Sequence, residues 1–277
     1  SRPLDAVGSS IGSWRHAAMA QPDPLATYDR FEQAYLSQHY ASAKPMVPEI
    51  TEVALWLMRT LLGDEGEHHV ADHPWLRSHI VTARGRGPNG RQPGKRLVAG
   101  MGIAALGNAL SRTTLRASFQ RVVFASRGAE PLTPLFDGFG TRYIDLAKTN
   151  VFNALMASGA IPYVFEGVYD IDGAGKGAFW DGGIIDYHFD LKRLPEDEVW
   201  LYPHFSSRTT VGWFDKFLPW RADRQVSADQ LIMICPSDAF LAQLPFGKIP
   251  DRRDFGKIPE RVRETYWRHC VNESQRL

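Results

Sequence analysis

The run Gly8-Ser9-Ser10-Ile11-Gly12 constrains this chain more than any other stretch. It follows Leu4-Asp5-Ala6-Val7, a short apolar run of strand type, and precedes Ser13 to Ala20, which suits a helix. G-x-S-x-G between a strand and a helix reads as a tight turn that lifts the central serine out of a sheet. Gly8 and Gly12 have no Cβ, so strand and helix can approach closely and the backbone can take strained angles. Ser10 then stands at a helix N-terminus, where unpaired N–H groups and the helix dipole favour developing negative charge; Ile11 supplies the first of those N–H groups. The pentapeptide alone also fits a plain Gly/Ser turn, so a partner residue has to decide.

That partner lies far downstream. Asp181-Gly182-Gly183 follows the apolar Ala178-Phe179-Trp180 and precedes Ile184-Ile185, and shortly before it runs Ala157-Ser158-Gly159-Ala160-Ile161-Pro162. With these residues the sequence resembles the patatin-like phospholipase family over about residues 4–190. That family pairs a G-x-S-x-G serine with the aspartate of a D-G-[GA] motif and carries an A-S-x-A-x-P segment before the aspartate. The resemblance implies an α/β fold, a three-layer α/β/α sandwich on a central, mostly parallel sheet. It implies Ser10 as nucleophile and Asp181 as base, with Gly8, Ile11 and Gly12 forming the elbow and oxyanion side and Gly182 and Gly183 completing the second motif. It implies lipid acyl hydrolysis of phospholipase A or lysophospholipase type, with neither metal nor cofactor. The family also places a glycine-rich oxyanion loop with a basic residue upstream of the serine strand. Only seven residues precede Gly8 here and none form such a loop, so the first βα unit is expected to be missing.

At 277 residues the chain can bury a large core, and residues 1–222 are expected to form the catalytic domain, with 223–277 a strand–helix extension packed on it. No apolar run approaches the roughly 20 residues of a spanning helix; the expected location is cytoplasmic, with peripheral membrane contact as a further expectation. Cys235 and Cys270 make no metal pattern and read as free thiols. Formal net charge is +1, yet no acidic residue occurs from His73 to Ala129, a stretch that holds ten arginines and lysines. Arginines spread around the fold and paired with carboxylates from elsewhere are the favoured reading; a basic face would instead suit phospholipid head groups, since aromatic interleaving is too sparse for nucleic acid, and none is expected as a partner.

Along the chain, helices are expected over 27–43, 49–62, about 97–108, 145–158 and from Arg261 onward, and strands at 78–83, 120–126, 163–165, 167–169, 199–202 and 231–235, with a loop over 131–140. Gly63 to His73 reads as a polar loop; His69, Asp72 and His73 within it invite a metal reading that a solvated loop explains better. The glycines from Gly100 to Gly107 have the wrong spacing for a dinucleotide fingerprint, and Asp170 to Gly177 reads as a hairpin tip rather than a calcium loop or P-loop. Trp213, Phe214, Phe217 and Trp220, flanked by Lys216 and Arg221, have the make-up of a membrane-interface patch, and buried packing explains them equally well. Phe246-Gly-Lys-Ile-Pro250 recurs as Phe255-Gly-Lys-Ile-Pro259, a local duplication without an evident chemical role. Two rival functions remain open. Ser10, Asp181 and His204 stand in the order of an α/β-hydrolase triad, and a non-catalytic lipid- or partner-binding module would need no oxyanion loop.

Overall fold

The computed structural model describes residues 3–132, 139–189, 198–221 and 229–276. The chain begins with β1 (Leu4–Ser9) and α1 (Ile11–Met19), then α2 (Pro24–Ser37), α3 (Val47–Leu62) and α4 (Gly66–Ala71). Next come β2 (Leu76–Gly85), α5 (Lys95–Leu110), the short α6 (Leu115–Ser118), β3 (Phe119–Ala125), β4 (Thr141–Asp145) and α7 (Lys148–Gly159). A hairpin of β5 (Val168–Tyr169) and β6 (Ala178–Asp181) follows. The rest is β7 (Trp200–Pro203), β8 (Leu231–Ile234), α8 (Asp238–Gln243), α9 (Asp254–Lys257) and α10 (Glu260–Ser274).

Local chemistry explains most boundaries. α2 starts earlier than the apolar spacing suggests: Pro24 occupies its first turn and the Asp23 carboxylate accepts the Ala26 N–H at 3.0 Å. It also stops earlier, at Ser37, where Gln38 turns extended. α3 closes on Gly63, whose φ of 61° is the left-handed geometry glycine tolerates. The expected loop at 63–73 is in fact α4, because Val70 and Ala71 are apolar enough to be buried under it. β4 escaped the sequence reading, and the segment 163–165 is a turn rather than a strand. The loop expected over 131–140 lies mostly outside the described residues.

The main sheet is six-stranded and mixed, in the order β4-β3-β2-β6-β5, with β1 also on β2. β1 runs parallel to β2, and β4 parallel to β3; β3 and β6 run antiparallel to β2. β1 and β6 share one edge of β2, end to end. β1 follows it from Leu76 to Val81, and β6 takes over at Thr82 to Arg84 in the opposite direction. The C-terminal ends of β1 and β6 therefore meet head to head at the Val81–Thr82 junction.

Alternation along the strands feeds two cores. Ile80, Val122, Phe124 and Phe179 face α1, α2, α3 and α7. On the other face, Ala83, Phe119 and Trp180 pack against Leu97, Met101 and Ala104 of α5, while Val81 and Val123 meet the small parallel β7–β8 sheet through Trp200, Tyr202 and Leu231. Helices and the small sheet thus cover both faces of the main sheet, the α/β layering expected. The C-terminal helices dock on α2, where Tyr266, Trp267, Cys270 and Leu244 bury against Leu36, and Tyr35 stacks on Trp267 at 5.9 Å. Burying each such large side chain contributes about 1.5–3 kcal/mol.

Part of the basic stretch is internal rather than a surface face. Arg121 on β3 is fully buried and grips Asp186 with two hydrogen bonds of 2.6 Å, tethering the loop that follows β6.

Candidate active site

Ser10 sits between β1 and α1 with φ 57° and ψ −132°. A positive φ is costly for a residue with a Cβ, of order 1–3 kcal/mol, and such strain persists only where the surroundings enforce it. One enforcing contact is visible at Gly8: a Cβ there would lie 2.4 Å from the Ser13 nitrogen, so only glycine lets strand and helix close on each other. Gly12 differs from the expectation. Nothing lies within 4 Å of where its Cβ would be, so this glycine leaves open space beside the serine instead of permitting close packing. Ile11 is exposed, and as the first residue of α1 its N–H has no acceptor within the helix.

The Ser10 hydroxyl donates directly to Asp181 Oδ2 at 2.7 Å. The head-to-head meeting of β1 and β6 makes this contact, because each residue ends or follows a strand at the same point on β2. The other carboxylate oxygen, Oδ1, accepts the Gly183 N–H at 2.7 Å, which caps the 3-10 turn from Gly182 to Ile184. Both glycines of that motif are sterically required. A Cβ at Gly182 would stand 2.4 Å from the Val81 carbonyl oxygen, and one at Gly183 would stand 2.9 Å from Asp181 Oδ1. Asp181 is almost wholly buried, and that burial pushes its pKa from 3.8 up to about 6, against the hydrogen bonds from Ser10 and Gly183 that favour the charged form. The carboxylate is thus a stronger base than a surface aspartate.

The segment Ala157 to Pro162 acquires a physical role. Ser158 Oγ accepts the Ser10 backbone N–H at 3.0 Å and donates to the Val81 carbonyl at 2.7 Å. Its one proton is committed to Val81, so the 2.8 Å contact with Ser13 Oγ is a bond donated by Ser13. Two residues on, the Ala160 carbonyl accepts the Asp181 N–H at 2.9 Å. One helix end thus holds the backbones of both Ser10 and Asp181. The sequence contained this signal only as a motif match; the hydroxyl's function could not be read from it.

His204 stands apart from this pair. Its Nδ1 is engaged with the Ser206 carbonyl at 2.5 Å, and its ring packs on His188 at 4.2 Å and Phe205 at 4.3 Å. Both Asp181 oxygens are already used, so no imidazole lies between serine and carboxylate. Of the aromatic patch, Phe217 and Trp220 are exposed at 68% and 70%, but Phe214 is 5% exposed. Phe214 is corrected to a core residue: it packs with Leu97, Trp180 and Ile184 beneath α5. Trp213 is half-buried and rests edge-on against Phe217 at 5.5 Å. In the 63–73 segment His68 pairs with Asp72 at 3.1 Å, and no group of three or more His, Cys, Asp or Glu able to hold a metal occurs among the described residues.

A strained serine between strand and helix, touching a buried aspartate, sits in an α/β protein whose main sheet is covered by helices on both faces. The family model for patatin-like phospholipase matches residues 3–188, more than half of the chain, and the chain belongs to that family, one of lipid acyl hydrolases. No curated protein and no solved structure matches it.

Proposed function

We propose that this chain hydrolyses fatty-acyl esters of phospholipid type through a Ser10–Asp181 dyad. The 2.7 Å hydrogen bond from Ser10 Oγ to Asp181, with no histidine interposed, carries the reading. Asp181 takes the hydroxyl proton as Ser10 Oγ attacks the ester carbonyl. The resulting oxyanion lies at the start of α1, within the reach of the Ile11 N–H. Asp181 returns the proton to the departing alcohol, leaving an acyl-serine. Water, deprotonated by Asp181, then attacks the acyl carbon and restores Ser10. A pKa of about 6 suits both halves of this cycle, ionised enough to accept a proton near neutrality and acidic enough to return it.

Peripheral contact with a lipid surface fits the same reading. Phe217 and Trp220 project beside Arg221, and Asn108 of α5 donates to Asp215 of the same turn at 2.8 Å. No described helix is long and apolar enough to cross a membrane. Phe217→Ala with Trp220→Ala is expected to weaken sedimentation with phospholipid vesicles while sparing hydrolysis of a water-soluble ester.

The first test of the chemistry is labelling with a fluorophosphonate probe. The native chain should label, Ser10→Ala should not, Asp181→Asn should label far more slowly, and His204→Ala should label normally. Loss of labelling in His204→Ala would favour a triad. A folded native chain that never labels yet binds vesicles would favour a binding module.

A further inference from the structure

α5 is apolar on its outer side as well as its inner one. From Leu97 to Ser111 the sequence holds no charged residue. On the inner side Leu97, Met101 and Ala104 bury against Ala83, Phe119 and Trp180, and Asn108 donates to Asp215 at 2.8 Å. That packing fixes the helix to β6, the strand that ends at Asp181. On the outer side Val98, Gly102, Leu106 and Leu110 recur at every fourth position, with Ala99 and Ile103 beside them. All six are exposed, Val98 at 58%, Ile103 at 63%, Leu106 at 73% and Leu110 at 87%. A helix facing water ordinarily carries polar residues on that side, and one that is apolar all round is ordinarily covered all round.

The surroundings of this face are cationic. Lys95 continues the outer stripe one turn before Ala99, and both Lys95 and Arg96 are exposed. Arg86, in the loop before α5, donates to the Arg116 carbonyl of α6 at 2.7 Å, and Arg86, Arg91 and Arg116 are exposed as well. No acidic residue occurs from His73 to Ala129 to offset them. Charge therefore matches the face to an anionic surface. A second copy of the chain is a poor occupant, because it would bring a second set of the same cations. Its area is also too small for a dimer: a 16-residue helix, about 24 Å long and about 10 Å wide, offers roughly 240 Å², against about 800 Å² per partner in a stable interface. Nor is α5 long enough to cross a bilayer, so it would lie on one.

We propose that α5 lies flat in the headgroup region of an anionic lipid bilayer, with Val98, Ile103, Leu106 and Leu110 at the acyl boundary and Lys95 and Arg96 against acidic head groups. The inference concerns where the chain docks and does not depend on the Ser10–Asp181 chemistry. It assigns docking to a rigid helix in addition to the Phe217–Trp220 turn, and it adds a requirement for lipid charge that those aromatics do not impose. Apolar burial supplies the attachment, and the cations select the surface.

The test measures binding by the full chain carrying Ser10→Ala, so that the lipid is not consumed. Sedimentation is compared on vesicles of phosphatidylcholine alone and of phosphatidylcholine with about one-third phosphatidylglycerol. Each basic residue near an anionic surface is worth about fivefold, so the mixed vesicles should bind roughly tenfold or more tighter. Lys95→Gln with Arg96→Gln should remove most of that difference and leave binding to phosphatidylcholine alone unchanged. Leu106→Gln with Leu110→Gln should weaken binding to both vesicles by about tenfold or more, since burying one such side chain is worth close to tenfold. All four positions are exposed, and an unchanged melting curve checks the fold. Phe217→Ala with Trp220→Ala should weaken binding to both vesicles alike and keep the lipid preference. A bimane attached through Leu106→Cys, in a chain with Cys235→Ser, should shift to the blue on mixed vesicles. The same label at Asn272→Cys on α10, which docks on α2 at the other face of the main sheet, should not shift. Equal binding to the two vesicles, undiminished binding of the Leu106–Leu110 variant, or equal shifts at the two labelled positions overturns the proposal. A chain that ignores both vesicles but self-associates in light scattering, with the Leu106–Leu110 variant monomeric, also overturns it and assigns the face to a second copy. Failure of the dyad shows separately, as absence of Ser10-dependent fluorophosphonate labelling, and leaves these binding measurements untouched.

Discussion

Asp181→Asn should make the protein more stable and nearly inactive, and the size of the gain should depend on pH. In the folded chain the Asp181 pKa is raised by burial from 3.8 to about 6. Between those values the native state holds a proton that the unfolded chain releases, so stability from this group is present at low pH and lost as pH rises through about 6. A shift of about two units, at roughly 1.4 kcal/mol each, makes the ionised carboxylate cost on the order of 3 kcal/mol above pH ~7. Asparagine has no such charge and keeps an oxygen for the Gly183 N–H. His16 and His188, whose pKa values burial lowers to about 3, impose the opposite slope, losing stability as pH falls below 6.5. Both histidines are present in native and variant chains, so their contributions cancel in the difference. Urea unfolding of the two proteins at half-unit steps from pH 4 to pH 8 should give a difference that grows by about 3 kcal/mol, mostly between pH 4 and 6, and then levels. Over the same interval the kcat/KM of the native chain should rise with a midpoint near pH 6. A flat difference, or an activity midpoint near pH 4, would refute the claim that burial tunes this carboxylate as the base.

Three other perturbations test the supporting structure. Ser158→Ala removes the acceptor for the Ser10 N–H and leaves the Val81 carbonyl unpaired; it should cost about 1–3 kcal/mol in denaturant unfolding and lower kcat with little change in KM. His16→Leu replaces a buried imidazole whose two ring nitrogens have no partner among the described residues; the loss of stability between pH 7.5 and pH 5 should shrink by about 2 kcal/mol, read from the same urea series. Trp267→Ala empties the space between Tyr35 and Phe255 and takes a donor from Asp254, which should cost about 3–5 kcal/mol by thermal or urea unfolding.

The sequence by itself determined the local events of this protein. Asp23 and Pro24 start α2, Gly63 ends α3, and Gly8-Ser9-Ser10-Ile11-Gly12 forces a strand–turn–helix, because each depends on the conformational limits of neighbouring residues. The same locality explains why Asp170 to Gly177 was legible as a hairpin tip joining β5 to β6. Where local pattern misled, burial was the cause. Gly63 to His73 reads as polar yet folds into α4 once Val70 and Ala71 find the core, and Phe214 matches a surface aromatic patch until α5 covers it.

Only the tertiary structure decided the rest. Ser10 and Asp181 are 171 residues apart, and they touch because β1 and β6 abut on one edge of β2, a register that no local spacing encodes. Asp181 becomes a strong base only when the sheet, Gly182 and Gly183 take it out of water. Ser158 is one serine among many until α7 ends beneath the elbow. The basic stretch likewise divided by position, with Arg121 drawn inside by Asp186. Chemistry-bearing residue types can be read from sequence; which of them share a desolvated space is settled by long-range packing, and that sets their pKa and partners.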